Sequence, residues 1–328
     1  MSYYELLQIP LKGPVSCYHI KWRSKELLLF GDWHCPYIKN IQYNLNSFLD
    51  LIAYKTNQKR ICVDFFHELP FQKDNRGSIQ TDYSGMIIQQ LRENFGTANI
   101  YYGDDYPYFR IHGWELSQYT EFDPENLFLA FLSDYSESDD TYHNLIYDFY
   151  CNNSSDSHDN AFKLALETKY NKYGHTFIYD NEKFLSKLIH KQIRNIDTSY
   201  FKHDELFSFF KNKSINLRLA ILETYSIARM FRKFEHKENR SNKCENNDAN
   251  NIIYFGGDGH VLNVLNFLTF LNESKDKESK DLNILYRFDK RKTHGSQYRE
   301  CIYLQSIPLK LYNYFNLFTD NVEEIRQM

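Results

Sequence analysis

Two apolar runs in this chain end on nearly the same phrase. The first reads Leu27-Leu28-Leu29-Phe30-Gly31-Asp32-Trp33-His34, and the second, far downstream, reads Ile252-Ile253-Tyr254-Phe255-Gly256-Gly257-Asp258-Gly259-His260. A short apolar run that stops at glycine has the pattern of a strand buried on both faces. In an α/β sheet such a strand delivers the residues after it to the carboxyl edge, where these folds take their ligands. The repetition therefore predicts that Asp32, His34, Asp258 and His260 meet at one edge. Asp and His together suit a divalent ion such as Mn, Co, Zn or Fe. A single Gly-Asp-x-His is commonly a turn or a helix cap. Two copies, each behind an apolar strand, favour a metal site.

The rest of the pattern is consistent with that sheet. Two strands are expected within 15–31, turning at Arg23-Ser24-Lys25, then a helix over 40–58 in which Leu45, Phe48, Leu49 and Ile52 recur at helical spacing. A strand follows over 60–66, a helix runs from Asp82 to Asn94, and strands are expected at 100–102 and 108–112. Residues 123–150 and 159–235 read as mostly helical, the clearest helix being 215–234, where Arg218, Leu222, Tyr225, Arg229 and Arg232 share a face. The polar stretch 236–250 reads as an exposed loop. A strand over 251–255, a helix over 260–271, a strand over 282–288 and a last one at 302–304 complete the chain. The expected fold is α/β: one domain over 1–328 with a central mixed sheet built from two similar strand-helix-strand halves, about 1–120 and 251–328, and a helical insert at about 121–235.

Composition narrows the function classes. The net charge of −4 argues against a protein whose main task is to grip phosphate backbones, so no nucleic-acid partner is expected. The one basic stretch, Arg287, Lys290, Arg291, Lys292, His294 and Arg299, reads as a solvated loop. The six cysteines show neither a C-x-x-C pair nor a disulfide framework, which points to a reducing compartment. No signal peptide and no membrane span is visible, so a cytoplasmic, unsecreted protein is expected. The Walker loop, G-x-G-x-x-G, G-x-S-x-G and H-E-x-x-H are all absent.

Three further residues are candidates for chemistry. Glu68, in Asp64-Phe65-Phe66-His67-Glu68-Leu69-Pro70, follows a strand to the same edge and is the preferred metal ligand or general base. Alternation places Asp64, Phe66 and Glu68 on one side and Phe65 and His67 on the other. Arg110, which shares a face with His112, is suited to an oxyanion, or else to an ion pair with Asp104, Asp105 or Glu115. Arg229 on the long helix is the third.

Taken as a set, these residues resemble the TIKI/TraB group of the erythromycin-esterase and ChaN-like superfamily. The matching positions are Gly31 with His34, Glu68, Arg110 or Arg229, and Gly257 with His260. The phrases Asp64-Phe65-Phe66-His67-Glu68, Arg110-Ile111-His112, Tyr225-Ser226-Ile227-Ala228-Arg229-Met230-Phe231 and Phe255-Gly256-Gly257-Asp258-Gly259-His260 also look like those of proteins from large nucleocytoplasmic DNA viruses, whose AT-rich coding suits the abundance of Tyr, Phe, Asn, Lys and Ile. The resemblance implies two α/β halves with an active site between them. It further implies metal-dependent hydrolysis of a peptide or small ester, with the ion on His34 and His260, Asp32 and Asp258 beside them, and Glu68 and Arg110 as catalytic groups. A viral source implies the host cytoplasm or the virion.

Two other readings compete. Asp32 and His34 fit the D-x-H opening of calcineurin-like metallophosphatases, but the later G-N-H-D and G-H-x-H signatures are missing. A non-catalytic viral structural or host-factor-binding protein retaining the fold also accommodates the polar loops and aromatic surplus.

Overall fold

The computed structural model describes residues 11–12, 14–32, 45–70, 106–115, 191–211, 217–233, 244, 249–274, 281–289, 301–302 and 317 of the 328. His34 and the helices and strands expected at 82–94, 100–102, 123–150 and 159–190 lie outside them. The chain divides into two compact units, Met1–Glu115 with Phe234–Met328, and Leu116–Lys233.

The first unit holds β1 (Leu11–Lys12), β2 (Ser16–Trp22), β3 (Lys25–Asp32), α1 (Leu45–Lys59), β4 (Val63–Pro70) and β5 (Phe109–Glu115). The second contributes α2 (His203–Lys211) and α3 (Leu217–Met230), and the first resumes with β6 (Asn251–Gly257), α4 (Asp258–Glu273), β7 (Leu282–Asp289) and β8 (Cys301–Ile302). Six strands form one mixed sheet in the order β5-β4-β6-β3-β2-β7, and β1 pairs with β8 apart from it. β5, β4, β6 and β3 run parallel. β2 is antiparallel to both β3 and β7. The expected α/β class is therefore present.

Every residue of β3 is buried, as an apolar run inside a parallel sheet requires. β2 turns into β3 at Arg23, whose φ of 54° supplies the left-handed step of a tight hairpin. α1 ends the same way at Arg60, φ 55°, with the Ile61 amide donating to the Thr56 carbonyl.

Side-chain alternation assigns the two faces of the sheet. Phe30 meets Phe48 of α1 edge-on, ring centroids 6.1 Å apart. A Cβ on the next residue, Gly31, would strike Asp258 at the start of α4. α1 and α4 thus cover opposite faces. On the α1 side the sheet is aromatic: Phe255 pairs with Phe30, and His67 pairs with Phe255 and packs against Phe65. α4 buries Val261, Val264, Leu265, Leu268 and Leu271, one stripe at helical spacing.

Three expectations are corrected. The last long helix begins at Asp258 rather than at His260, because the strand ends on Gly257, which serves as its N-cap. The stretch 236–250 is not wholly an exposed loop, since Cys244 and Ala249 are fully buried. Nor are the cysteines all reduced: Cys62 and Cys244 form a disulfide across 182 residues, with Cα atoms 5.8 Å apart. Sequence spacing could not show it, because the partners meet only through the tertiary fold.

In the second unit α3 runs 217–230 inside the expected 215–234, and residues 222–228 are buried on all sides rather than along one stripe. Among the described residues no helix is long and apolar enough to cross a membrane.

Candidate functional site

The two phrases lie side by side. β3 and β6 are parallel neighbours, and the register pairs Phe30 with Phe255, Gly31 with Gly256 and Asp32 with Gly257. The second phrase carries one glycine more than the first. That residue ends the strand opposite Asp32 and moves Asp258 one place on, into the first turn of α4.

The shift changes what the aspartates can do. Asp32 follows Gly31 in a strand, so it belongs with Phe30 on the α1 side. Asp258 lies on the other side, over Gly31. Its Oδ1 accepts a 2.5 Å hydrogen bond from the Ser16 hydroxyl, and Ser16 is the β2 partner of Gly31. A Cβ on Gly31 would collide with both the hydroxyl and the carboxylate. The glycine of the first phrase therefore makes room for the aspartate of the second. Both acids sit at the carboxyl edge, but on opposite faces of the sheet.

His260 is two residues beyond Asp258 in a helix, about 200° further round it, and it is half-buried. Asp258 and His260 thus do not face one direction. Among the described residues no group of three or more His, Cys, Asp or Glu is placed to hold a metal ion. The donor chemistry suits a divalent ion, but the described members of the expected set, Asp32, Asp258 and His260, do not assemble into one.

Glu68 does reach the edge. His67 pairs with Phe255, so Glu68 is level with Gly256. Its Oε2 accepts the Gly257 amide at 2.7 Å. A carboxylate thereby occupies the start of α4, where unpaired amides and the helix dipole favour negative charge. Glu68, Ser16 and Asp258 share the α4 side of the sheet, with the in-register pair Gly31 and Gly256 between them.

Arg110 is placed elsewhere. It pairs with Asp64, four residues before Glu68 on β4, which is about 13 Å along a strand. Nε donates to Asp64 Oδ1 at 2.7 Å and Nη2 to Oδ2 at 2.6 Å, a bidentate fork, while Nη1 donates to the Cys244 carbonyl at 2.9 Å. His112 Nε2 lies 2.5 Å from Asp64 Oδ1, and its ring stacks on Phe66 at 4.6 Å. The ion-pair partner among the described residues is thus Asp64; Asp104, Asp105 and the Glu115 side chain lie outside them. Burial alone would raise the Asp64 carboxyl, but the Arg110 charge and the His112 hydrogen bond outweigh it and bring it down to about 2.

Arg229 belongs to the second unit. Its Nη1 donates to the Tyr225 hydroxyl at 2.6 Å, one helical turn earlier on α3.

Sequence reasoning missed Ser16 and the role of Asp64. The signal for Ser16 is weak, one hydroxyl opening a strand. The signal for Asp258's displacement is plain in retrospect: Gly31-Asp32 in one phrase, Gly256-Gly257-Asp258 in the other.

The chain matches no family model, no curated protein and no solved structure.

Proposed function

We propose that this protein is a hydrolase of peptide or ester bonds that works at the carboxyl edge of β4, β6 and β3. One observation supports this above others: Glu68 and Asp258 flank the in-register glycines Gly31 and Gly256 on one face, each with an oxygen held by a donor from the fold. Held carboxylates at a sheet edge suit acid–base work on an acyl group. Glu68 takes the proton of the attacking water, and Asp258 orients the reacting group.

In this reading β3-α1-β4 and β6-α4-β7 are two similar halves, as in the TIKI/TraB group, with the second unit as the insert. The likeness of the phrases to viral proteins supports a place in the host cytoplasm or the virion. No step is drawn through a divalent ion, because the described residues form no ligand set for one. A metal enters only if His34 completes it, and Arg229 only if it reaches the same site.

The test uses purified full-length protein and a panel of chromogenic esters and peptides, with metal content measured in parallel. Glu68→Gln and Asp258→Asn are expected to lower kcat by about a hundredfold or more with folding retained. Turnover equal to wild type in both variants overturns the assignment. Stoichiometric metal lost in His34→Ala and His260→Ala would add the ion to the mechanism.

One observation favours a second reading, a non-catalytic binding protein on the same fold. Arg110, the group suited to an oxyanion, is engaged by Asp64 and the Cys244 carbonyl. A folded protein without turnover on any substrate of the panel would favour it.

A further inference from the structure

The Cys62–Cys244 disulfide is the one covalent tie among the described residues, and its two ends differ. Cys62 immediately precedes β4 and is half-buried, whereas Cys244 is fully buried. The carbonyl of Cys244 accepts Arg110 Nη1 at 2.9 Å, the one terminal nitrogen that Asp64 does not take. Its sulfur lies 3.7 Å from the Pro107 carbonyl oxygen. Cys62 is thus the more open of the two residues, and Cys244 is closed in, with a guanidinium at its carbonyl and the Pro107 carbonyl at its sulfur.

We propose that this bond is a thiol-exchange site with a fixed direction of attack, opened by a small thiol reductant at Cys62. Exchange rates depend on which sulfur the attacking thiolate can reach. The external thiolate attacks Cys62 Sγ, and a new disulfide forms there. The Cys62–Cys244 bond breaks, and its electron pair leaves on Cys244 Sγ as a thiolate. That thiolate then takes a proton from water, and its S–H meets the Pro107 carbonyl. A second external thiolate attacks the outer sulfur of the mixed disulfide. It releases Cys62 and carries away the oxidised reductant, so that two electrons and two protons are transferred in all.

The consequence reaches the buried cluster. While the bond is intact it tethers residue 244, and so the third acceptor of Arg110, to the start of the strand that carries Asp64. Reduction leaves Arg110 with Asp64 alone among these partners and loosens β4 against β5.

The experiment uses the full chain oxidised with glutathione disulfide. A non-reducing digest is expected to yield the Cys62–Cys244 cross-linked peptide by mass spectrometry. The oxidised, folded protein is then treated with limiting reduced glutathione and quenched with N-ethylmaleimide. Glutathione is expected on Cys62 and maleimide on Cys244, with about a tenfold preference over the reverse. Cys17, a free and buried thiol, reports that the protein stayed folded, since it should stay unlabelled. Absence of the cross-linked peptide overturns the proposal, and so does glutathione spread evenly or mainly on Cys244. The outcome is independent of any hydrolytic activity.

Discussion

Two buried polar groups occupy the α4 face of the same sheet, and they are built on opposite principles. At β4 and β5, Asp64 meets a guanidinium and an imidazole, so its charge is answered by charge. At the edge of β4, β6 and β3, Asp258 meets a serine hydroxyl and Glu68 meets a backbone amide, so each carboxylate is met by a dipole. The first arrangement fixes two strands to each other. The second positions carboxylates at the open end of the sheet, where a general base is needed. The cation that a catalytic reading would most like to find at the edge has been placed about 13 Å away, where it serves the fold.

The contrast predicts unequal sensitivity to mutation. Arg110→Ala removes both donors of the fork and leaves Asp64 buried with His112 alone. Breaking a buried pair in this way costs about 3–5 kcal/mol, read as a large fall in the urea midpoint. Loss of activity in this variant should track unfolding rather than precede it. A stable Arg110→Ala protein that had lost only its turnover would reverse the comparison and make Arg110 a group of the site.

The acid limb of stability separates the clusters next. The Asp64 carboxyl is held at about 2 in the folded protein against an ordinary value of 3.8. A lowered folded value means that the contribution is fully present above the ordinary value and disappears as pH falls through the folded one. Asp64 should therefore supply on the order of 2 kcal/mol at neutral pH, lost between about pH 4 and pH 2. Chemical denaturation of wild type and Asp64→Asn across that range checks it. The variant should be weaker at neutral pH and show a shallower acid limb.

Gly31→Ala attacks the edge instead. The new methyl group meets the Ser16 hydroxyl and the Asp258 carboxylate, and the Asp258 Cα stands close behind them. Backbone cannot move as a flexible side chain can, so the start of α4 must shift. Overpacking of this kind costs about 1–3 kcal/mol. Under the proposed function, kcat should fall more than stability does. Unchanged turnover in a measurably destabilised variant would remove Asp258 from the site.

These particulars also mark how far the sequence could be read. The strands β3, β4 and β6 and the helices α1 and α4 were legible because their apolar spacing is a local property of the chain. The shared edge followed from the repeated phrase, since the parallel register really does pair Gly31 with Gly256. The faces were harder. Asp32 obeys the two-residue period of a strand, and Asp258 obeys the period of a helix. The single extra residue, Gly257, decides which rule applies, and reading both phrases as one motif hid it. Arg110 with Asp64 and Cys62 with Cys244 depend on strand register and on chain return over 46 and 182 residues, which no local pattern encodes.

The smallest predicted effect is a null, and it decides whether the two groups are one network or two. Ser16 on β2 and His112 on β5 are separated by three intervening strands in the sheet order, about 19 Å at ordinary strand spacing. They share no partner in the hydrogen bonds described. Ser16→Ala removes the hydroxyl that donates to Asp258 Oδ1, and a hydrogen bond to a charged group is worth about 1.5–3 kcal/mol. His112→Gln removes an aromatic ring and a partner of Asp64. In a double-mutant cycle the two losses should add to within about 0.5 kcal/mol. Ser16→Ala with Asp258→Asn should instead show a coupling of about 0.5–3 kcal/mol, as groups in contact do. Strong coupling across the sheet, from Ser16 to His112, would mean that β4 transmits strain between the clusters. Arg110 would then act on the edge through β4 despite its distance, and the contrast between a structural cluster and a functional one would collapse into a single site.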